Sequence, residues 1–312
     1  MMDLFPIDAV ITWVDGNDPA HKAKRALYSS SVRDVQCEDI GAVTRFASVG
    51  EIAWCVASIR RFAPFIRKIF VLTDGQDPGL EGIELVDHKV VAEGFEEYLP
   101  LFNSLGIETL MWRIPGLAEH FIYFNDDVFL TAPCHREDFF EGGRTVCYAR
   151  PFSVPAARLM RLVKPRGSFG FKDAMLNAAL RLGEKKTFLK TSHIPLALRK
   201  APLARYYASC PEAIRDNLNC RFREPHQFNP QQLYYLLARR EGELLIRKPG
   251  DALYMKPKNR AGYVARKIDS FRAAPDARFC CINSLDMASP EDRILVTEWL
   301  DSRIGTNLSD KR

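Results

Sequence analysis

The sequence predicts an α/β protein with a mainly parallel sheet. In the first half, short apolar runs of strand type alternate with helical periodicities. Two of these runs end in the same Asp-Gly turn signal, at Asp15-Gly16 and at Asp74-Gly75. In open parallel sheets, ligands bind beyond the carboxyl ends of the strands. We therefore expect the functional residues to lie where the predicted strands end.

The predicted elements of the first half follow in order. Residues 9–14 and 68–73 are strands, and between them Ser48 to Glu51 predicts a capping box for a helix that ends before Pro64. The apolar stripe of that helix is Ile52, Cys55, Val56, Ile59 and Phe62. The next elements are a strand at 83–86, a helix at 104–113 capped by Asn103 or Ser104, and a strand at 121–124.

The second half is more helical. Asn229-Pro230 predicts a helix that stops near Gly242, and Ser289-Pro290 predicts another that ends at Gly305. The composition shifts near Arg150-Pro151, which predicts two halves, 1–150 and 151–312, of one domain.

Composition limits the class of protein. The chain has 312 residues, of which 47% are hydrophobic and 27% charged, with a net charge of +5, as in an ordinary globular protein. Its apolar runs stay far below the roughly 20 residues of a membrane span, and the N-terminus lacks a secretory signal. Eight cysteines without CxxC spacing predict reduced structural thiols. We expect a cytoplasmic protein without a membrane span or a nucleic-acid partner.

Two adjacent carboxylates, Asp126 and Asp127, follow an apolar run at the point where a predicted strand meets its loop. Desolvated carboxylates repel each other and need a divalent cation, a shared proton or a basic partner. Paired aspartates also close turns, so the pair alone fits either interpretation. The carboxylates that we expect to converge there, and whose convergence favours a metal site, are Asp15, Asp74, Glu108, Asp126 and Asp127.

Basic and aromatic residues could complete the site. Trp13 is either a core residue or the aromatic surface of a nucleotide pocket. His193 precedes Ile194-Pro195, where a structural role is common. Arg223 either pairs with Glu224 or clamps a phosphate. Residues 158–190 carry nine basic and two acidic side chains, which suits a polyanion or a solvated helical face.

These segments together resemble the Stealth family of sugar-phosphate transferases, which includes bacterial capsule polysaccharide phosphotransferases. The family also includes the catalytic precursor of the lysosomal-enzyme N-acetylglucosamine phosphotransferase. The resemblance runs through residues 7–16, Arg45-Phe46 with Glu51, 58–60, 63–76, 99–104, 107–108, 113–117 and 121–129. It continues more thinly at 192–195, 222–223 and 281–283. The last block departs from the family pattern, because Ser284 stands where an acidic residue is common, and the role of Asn283 stays open.

The resemblance implies a Rossmann-like, nucleotide-diphospho-sugar transferase core of the GT-A type. It implies catalytic roles for Glu108, Asp127, His193 and Arg223, with Asp126 and Asp127 binding Mg²⁺ or Mn²⁺. Residues 1–150 would bind the nucleotide sugar, and 151–312 would close over the same site. The residues expected near the donor are Trp13, Asp15, Gly16, Asp74, Gln76 and Asn103.

The implied reaction is transfer of hexose-1-phosphate from a nucleotide-diphosphate sugar to a hydroxyl of an acceptor glycan, with release of a nucleoside monophosphate. Either Glu108 or His193 could take the proton of the hydroxyl. The expected partners are that donor, a sugar or polyanionic glycan acceptor, and the capsule assembly machinery at the inner face of the membrane. The oligomeric state stays open, with a homo-oligomer among the alternatives.

Two other functions compete with this one. A metal-dependent glycosyltransferase would use a similar site but attack the anomeric carbon of the sugar. A noncatalytic module that binds polyanions would need only the basic segment 158–190, and it gives no reason for the acidic strand ends.

Overall fold

The computed structural model describes residues 5–29, 48–163, 169–250, 252–257 and 260–309. The strands are β1 (Ile7–Thr12), β2 (Ile66–Thr73), β3 (Glu84–Asp87), β4 (His120–Asn125), β5 (Val128–Leu130), β6 (Phe140–Glu141), β7 (Arg144–Ser153), β8 (Thr187–Thr191), β9 (Leu196–Arg199), β10 (Leu244–Arg247), β11 (Ala252–Met255) and β12 (Phe279–Ile282).

The α-helices of the described ranges surround these strands. They are α1 (Pro19–Ser29), α2 (Glu51–Phe62), α3 (His88–Val91), α4 (Ser104–Leu110), α5 (Val154–Leu162), α6 (Phe171–Arg181), α7 (Lys200–Ser209), α8 (Glu212–Leu218), α9 (Pro230–Arg240), α10 (Tyr263–Arg272) and α11 (Pro290–Ile304). No helix in the described part of the chain has the length and apolar character of a membrane-crossing segment.

The central sheet has the order β3-β2-β1-β4-β9. The first four strands are parallel, and β9 runs antiparallel to β4. The residues of β1 are almost wholly buried because helices cover both faces of the sheet. This arrangement confirms the predicted α/β class with a mainly parallel sheet. It also brings Thr12 level with Asn125 at the carboxyl edge.

Two smaller sheets are formed mainly by the second half. Strand β7 pairs with β6, β8 and β10, and β12 lies between β11 and β5. The pairing of Cys281 with Val128 brings the end of β12 next to Asp127, whose carbonyl accepts a hydrogen bond from Ile282 N at 3.0 Å. Arg150 and Pro151, where the sequence suggests a division, lie inside β7. The two-half division stays a prediction.

The local predictions hold with two corrections. The stripe on α2 is buried as expected, and Asn103, Asn229 and Ser289 cap their helices with side-chain acceptors. The capping box at Ser48 is wrong. Gly50 is the N-cap in a left-handed conformation, and the Glu51 carboxylate accepts from Val49 N at 2.7 Å. The helix predicted at 104–113 ends at Leu110 and continues as a 3-10 turn to Arg113.

Disulfides are absent among the described cysteines. Seven of them are free: Cys55, Cys134, Cys147, Cys210, Cys220, Cys280 and Cys281. That agrees with the prediction of reduced thiols for these positions, while Cys37 lies outside the described residues.

His88, at the start of α3, gives a test of the buried core. Its side chain is buried, neither ring nitrogen has a hydrogen-bond partner among the described residues, and burial lowers its pKa to about 4. In the unfolded chain His88 therefore binds a proton near pH 6.5, whereas in the folded chain it binds one only near pH 4. This group alone should lower the free energy of unfolding by about 2 kcal/mol between pH 7.5 and pH 5.

We expect His88→Leu to remove that share of the acid sensitivity, because leucine cannot bind a proton. Urea unfolding at pH 7.5 and pH 5 checks it, with His226→Gln as a control at an exposed position. An equal loss of stability in His88→Leu and the unchanged protein would contradict the assignment.

Candidate active site

The site begins at the end of β4. Tyr123 is a buried residue of this strand, and its hydroxyl lies 2.9 Å from Thr12 Oγ1 on β1. The same hydroxyl contacts Glu108 Oε1 at 3.0 Å and Asn125 Oδ1 at 2.5 Å. Parallel pairing of β1 and β4 brings Thr12 and Asn125 together, while α4 carries Glu108. One tyrosine hydroxyl therefore links both strand ends and the helix.

The two aspartates form the turn between β4 and β5. Burial, followed by repulsion from Asp127 and Glu51, raises the pKa of Asp126 well above its usual range. Burial also raises the pKa of Asp127, against a hydrogen bond from Asn283 and attraction to His193. Binding a proton or a cation would therefore stabilise both carboxylates.

Asp127 has one satisfied and one unsatisfied oxygen. Its Oδ2 accepts from Asn283 Nδ2 at 3.1 Å, and Cys281 Sγ lies 3.7 Å away. Its Oδ1 has no partner among the described residues. A buried acceptor without a donor is costly. The free oxygen is therefore a position where a cation or a substrate proton would be stabilised.

Glu108 is buried on α4. Burial raises the pKa of Glu108, against the favourable effects of Gln231, Tyr123, Arg223 and Ser104. The carboxyl group therefore lies close to both a neutral hydroxyl network and a cation. Glu108 therefore holds a proton more readily than an exposed glutamate.

His193 and Arg223 come from the second half. The His193 ring stacks between Phe171, at a centroid distance of 5.0 Å, and Tyr254, at 5.8 Å. Burial lowers the pKa of His193, Asp127 opposes that shift, and Arg223 adds to it. Arg223 Nη2 donates to Ser104 Oγ at 2.9 Å. The structure thus brings Asp127, His193, Arg223 and Glu108 into one chain of electrostatic neighbours.

Asn103 fixes the loop that carries Arg223. Its Oδ1 accepts from Gly106 N at 3.0 Å and from Gln227 Nε2 at 3.1 Å. Its Nδ2 donates to the carbonyl of Cys220 at 2.5 Å. Both ends of the amide are engaged inside the protein, so the geometry favours a positioning role over the predicted donor contact.

The predicted convergence of five carboxylates is wrong in that form. Asp74 turns to α1, where Lys24 Nζ lies 2.7 Å and His21 Nδ1 3.3 Å from its Oδ2. Despite its partial burial, hydrogen bonds from His21 and Lys24 hold the pKa of Asp74 at about 2. No three or more His, Cys, Asp or Glu side chains are grouped to hold a metal ion within the described ranges. Asp126 and Asp127 stay the predicted pair.

The loops after β1 and β2 are joined by Gln76. Its Oε1 accepts from Asp15 N at 2.8 Å, and its Nε2 donates to the carbonyl of Asp15 at 3.0 Å. Asp15 Oδ1 accepts from Asn17 N at 2.8 Å, which makes a turn at Gly16. Trp13 is buried, and its Nε1 has no partner in the described part of the chain. These residues form a preorganised edge beside the acidic site.

Sequence reasoning missed several residues of the site. Asn283, whose role was left open, contacts Asp127, and Tyr123 links three elements. The available signal for Tyr123 was its polar tip in a buried strand, since a buried tyrosine hydroxyl usually has a partner. The contact with Asn283 depends on the pairing between β12 and β5, which no local sequence pattern predicts.

The fold and the site define an α/β protein that sets acidic groups against an arginine and a histidine at the carboxyl edge of a parallel sheet. Two family models match the chain: conserved region 1 of the Stealth proteins at residues 5–33 and conserved region 2 at residues 45–147. The chain belongs to the Stealth family.

Curated relatives carry polysaccharide phosphotransferase names. An exopolysaccharide phosphotransferase of Streptomyces coelicolor is 32% identical over 95% of this chain and 54% of its own length. A receptor polysaccharide phosphotransferase of Streptococcus oralis is 41% identical over 43% of this chain and 41% of its own length. The chain thus spans about half the length of the curated relatives that it matches.

Solved glycosyltransferases are similar over most of the chain at low identity. One of these is the galactosyltransferase LgtC in complex with donor and acceptor sugar analogs. The match covers 96% of this chain and 95% of the LgtC chain, with 10% identity and a TM-score of 0.44. Mouse xyloside xylosyltransferase 1 covers 89% of this chain and is covered over 96%, with 10% identity and a TM-score of 0.40.

The loop held by Asn103 gives a second test. Asn103→Ala leaves the buried groups that Asn103 contacts without partners, so the free energy of unfolding should fall by about 2 kcal/mol or more. The loop should open, and trypsin should cleave faster after Arg221 or Arg223. Urea unfolding and mass spectrometry of the fragments measure both effects.

Asn17→Ala is the matched control, because the Asn17 side chain makes one exposed hydrogen bond, to the Ser48 carbonyl. Equal stability and equal cleavage rates for both variants would contradict the positioning role of Asn103.

Proposed function

We propose that the protein transfers hexose-1-phosphate from a nucleotide-diphosphate sugar to a hydroxyl of an acceptor glycan. The observation that carries this proposal is the chain of neighbours Asp127, His193, Arg223 and Glu108 at the carboxyl edge of the sheet. It combines groups that suit phosphate oxygens with groups that can move a proton. The polysaccharide phosphotransferase names of the relatives support the same reaction class.

Donor binding is assigned to the edge formed by β1 and β2. Trp13 offers a ring and an unpartnered N–H, while the loop at Asp15 and Gly16 is held by Gln76. In parallel sheets this edge is where nucleotides bind. Asp74 then acts by fixing α1 against this edge through Lys24.

The pyrophosphate needs positive charge. Arg223 would bind its oxygens, because a guanidinium matches phosphate geometry. The aspartates fit a divalent cation, since both have raised pKa values and Asp127 Oδ1 has no partner in the ranges that the structure describes. Mg²⁺ or Mn²⁺ held by Asp126 and Asp127, with the donor phosphates and water as further ligands, would neutralise charge on the phosphate oxygens.

Proton counting favours His193 as the base. Tyr123 has one hydroxyl hydrogen but touches the oxygens of both Glu108 and Asn125. If that hydrogen goes to Asn125, the contact with Glu108 requires a proton on Glu108, which its raised pKa supports. The lowered pKa of His193 leaves its imidazole neutral and able to accept a proton.

The bonds balance as follows. The acceptor oxygen bonds to the phosphorus nearer the sugar, and its proton passes to His193. The bond from that phosphorus to the bridging oxygen breaks. The nucleoside monophosphate leaves with the bridging oxygen and both electrons of the broken bond. The hexose keeps its phosphate in a new phosphodiester.

Labelling the donor at the sugar-proximal phosphorus with ³²P tests the reaction. Transfer of hexose-1-phosphate carries the label into the glycan and releases an unlabelled nucleoside monophosphate. Asp127→Asn should lower the rate by about 10²-fold or more, the usual cost of losing one charge-stabilising group. Scintillation counting of glycan and nucleotide fractions measures both.

Lys89→Gln, a substitution at an exposed position away from the site, is the control and should keep the activity of the unchanged protein. Circular dichroism checks that each variant is folded. Label released as nucleoside diphosphate would identify a glycosyltransferase instead. Full activity in a folded Asp127→Asn protein would rule out the acidic site.

We further propose that the protein lies at the inner face of the cell membrane. Helix α5 buries Val154 and Ala157 but leaves Leu162 81% exposed, and Val163, directly after the helix, is 79% exposed. Leu159 and Met160 are exposed beside Arg158. Apolar side chains flanked by cations suit the surface of an anionic bilayer. Such a position would bring the transferase to its assembly machinery.

Cosedimentation with phosphatidylglycerol vesicles tests this surface. We expect binding that weakens as salt rises, and at least threefold weaker binding for the double variant Leu162→Gln and Val163→Gln. Leu85→Gln, at an exposed position on β3, is the control. No binding to the vesicles, or equal binding by all variants, would contradict the proposal.

A further inference from the structure

A cavity lies near the candidate active site. Its volume is about 200 Å³, and it is lined by Tyr148, Ile194, Arg247, Lys248, Arg278 and Phe279, among others. A water molecule occupies roughly 30 Å³ in the liquid, so the cavity has room for a tetrahedral anion with part of its substituents. None of the polar residues in this lining has a role in the reaction proposed above.

The lining carries an excess of positive charge. Arg247 pairs with Glu141 at 2.9 Å, and Arg278 pairs with Asp138. The exposed Lys248 has no carboxylate within ion-pair distance among the described residues. Three cations therefore face two carboxylates at the described positions, which leaves one positive charge to attract an anion.

Tyr148 supplies a buried donor at the same place. Its side chain is only 8% exposed, and its hydroxyl hydrogen has no acceptor among the described residues. Burial raises the pKa of Tyr148, against a hydrogen bond that the Arg247 guanidinium can donate to the hydroxyl oxygen, so the hydroxyl keeps its hydrogen at neutral pH. A buried hydroxyl usually donates its hydrogen to a partner, and the lack of an acceptor in the described part of the chain points to a ligand.

The cavity and the active site share chain segments. Ile194, in the cavity wall, follows His193 directly. Phe279 begins β12, and Asn283, which binds Asp127, follows the end of that strand. Four residues of strand span about 13 Å. The Phe279 end of the cavity therefore lies about 13 Å along β12 from Asn283, the residue that binds Asp127.

We propose that this cavity binds a phosphate group through Tyr148, Lys248, Arg247 and Arg278. As a further step, which rests on the proposed function, the bound group is a phosphodiester already present in the acceptor glycan. The protein then recognises the anionic product of an earlier transfer while a free hydroxyl lies at the active site. This favours repeated additions to one chain.

Lysine footprinting tests anion binding without any need for catalysis. Native protein is acetylated with and without inorganic phosphate or dimethyl phosphate, and modification of Lys248 is followed by mass spectrometry. We expect both anions to protect Lys248, with protection requiring about tenfold more anion in Tyr148→Phe, the approximate effect of one hydrogen bond to a charged group. Lys89 is the internal control and should stay unprotected.

Steady-state kinetics test the identity of the anion. Lys248→Gln and Tyr148→Phe should raise KM for an acceptor with an internal phosphodiester about tenfold. They should leave kcat, and KM for the neutral acceptor, unchanged. Lys89→Gln should change none of these constants.

The outcomes separate the two steps. No protection of Lys248 up to 50-fold more phosphate than protein, and none at about 50 mM phosphate, would overturn the anion site. Protection with equal KM changes for both acceptors would overturn the phosphodiester assignment and leave the anion site standing. A protein that shows protection but transfers no labelled phosphate would refute the proposed function alone.

Discussion

Desolvated negative charge at the carboxyl edge of the sheet is the constraint on which the site depends. Asp126 and Asp127 lie side by side where burial raises both pKa values, and Glu108 is buried nearby. Hydrophobic packing of the parallel strands creates this environment, but it cannot compensate the charge. Compensation comes from Asn283 at Asp127 and from the Arg223 guanidinium at Glu108. The two halves of the chain are therefore coupled through electrostatics as well as through packing.

A buried amide network makes that coupling rigid. Asn217 Nδ2 donates to Thr109 Oγ1 at 2.8 Å, and its Oδ1 accepts from Phe228 N at 3.0 Å. Gln227 Nε2 donates to Asn103 Oδ1 at 3.1 Å and to the Asn217 carbonyl at 2.9 Å. These bonds hold the segment 220–228 against α4, the helix that carries Glu108. Buried polar networks of this kind specify one arrangement because any rearrangement leaves groups unpaired.

The sequence predicted the parts of the fold that depend on local chemistry. Strand ends marked by Asp-Gly and helix caps such as Asn229 could be predicted, because turn and cap preferences involve neighbours along the chain. The helix start at Gly50 was not, since a left-handed glycine replaced the expected serine cap. Asp74 was expected among the converging carboxylates beside the donor, but it pairs with Lys24, which lies 50 residues away along the chain. No local sequence pattern reveals an ion pair at that separation.

The same limit explains the candidate site. Asp126 and Asp127 are conspicuous in the sequence, because adjacent carboxylates after an apolar run conflict with burial. The environment that gives each its role is contributed by β12, which pairs with β5 over a long separation in sequence, and by β11, which pairs with β12. Tyr254 on β11 stacks on His193, and Ala252 on the same strand lines the cavity with Tyr148 and Lys248. A strand that touches both places cannot shift in one without disturbing the other. The orientation of the His193 ring and the shape of the cavity are therefore set by one structural element.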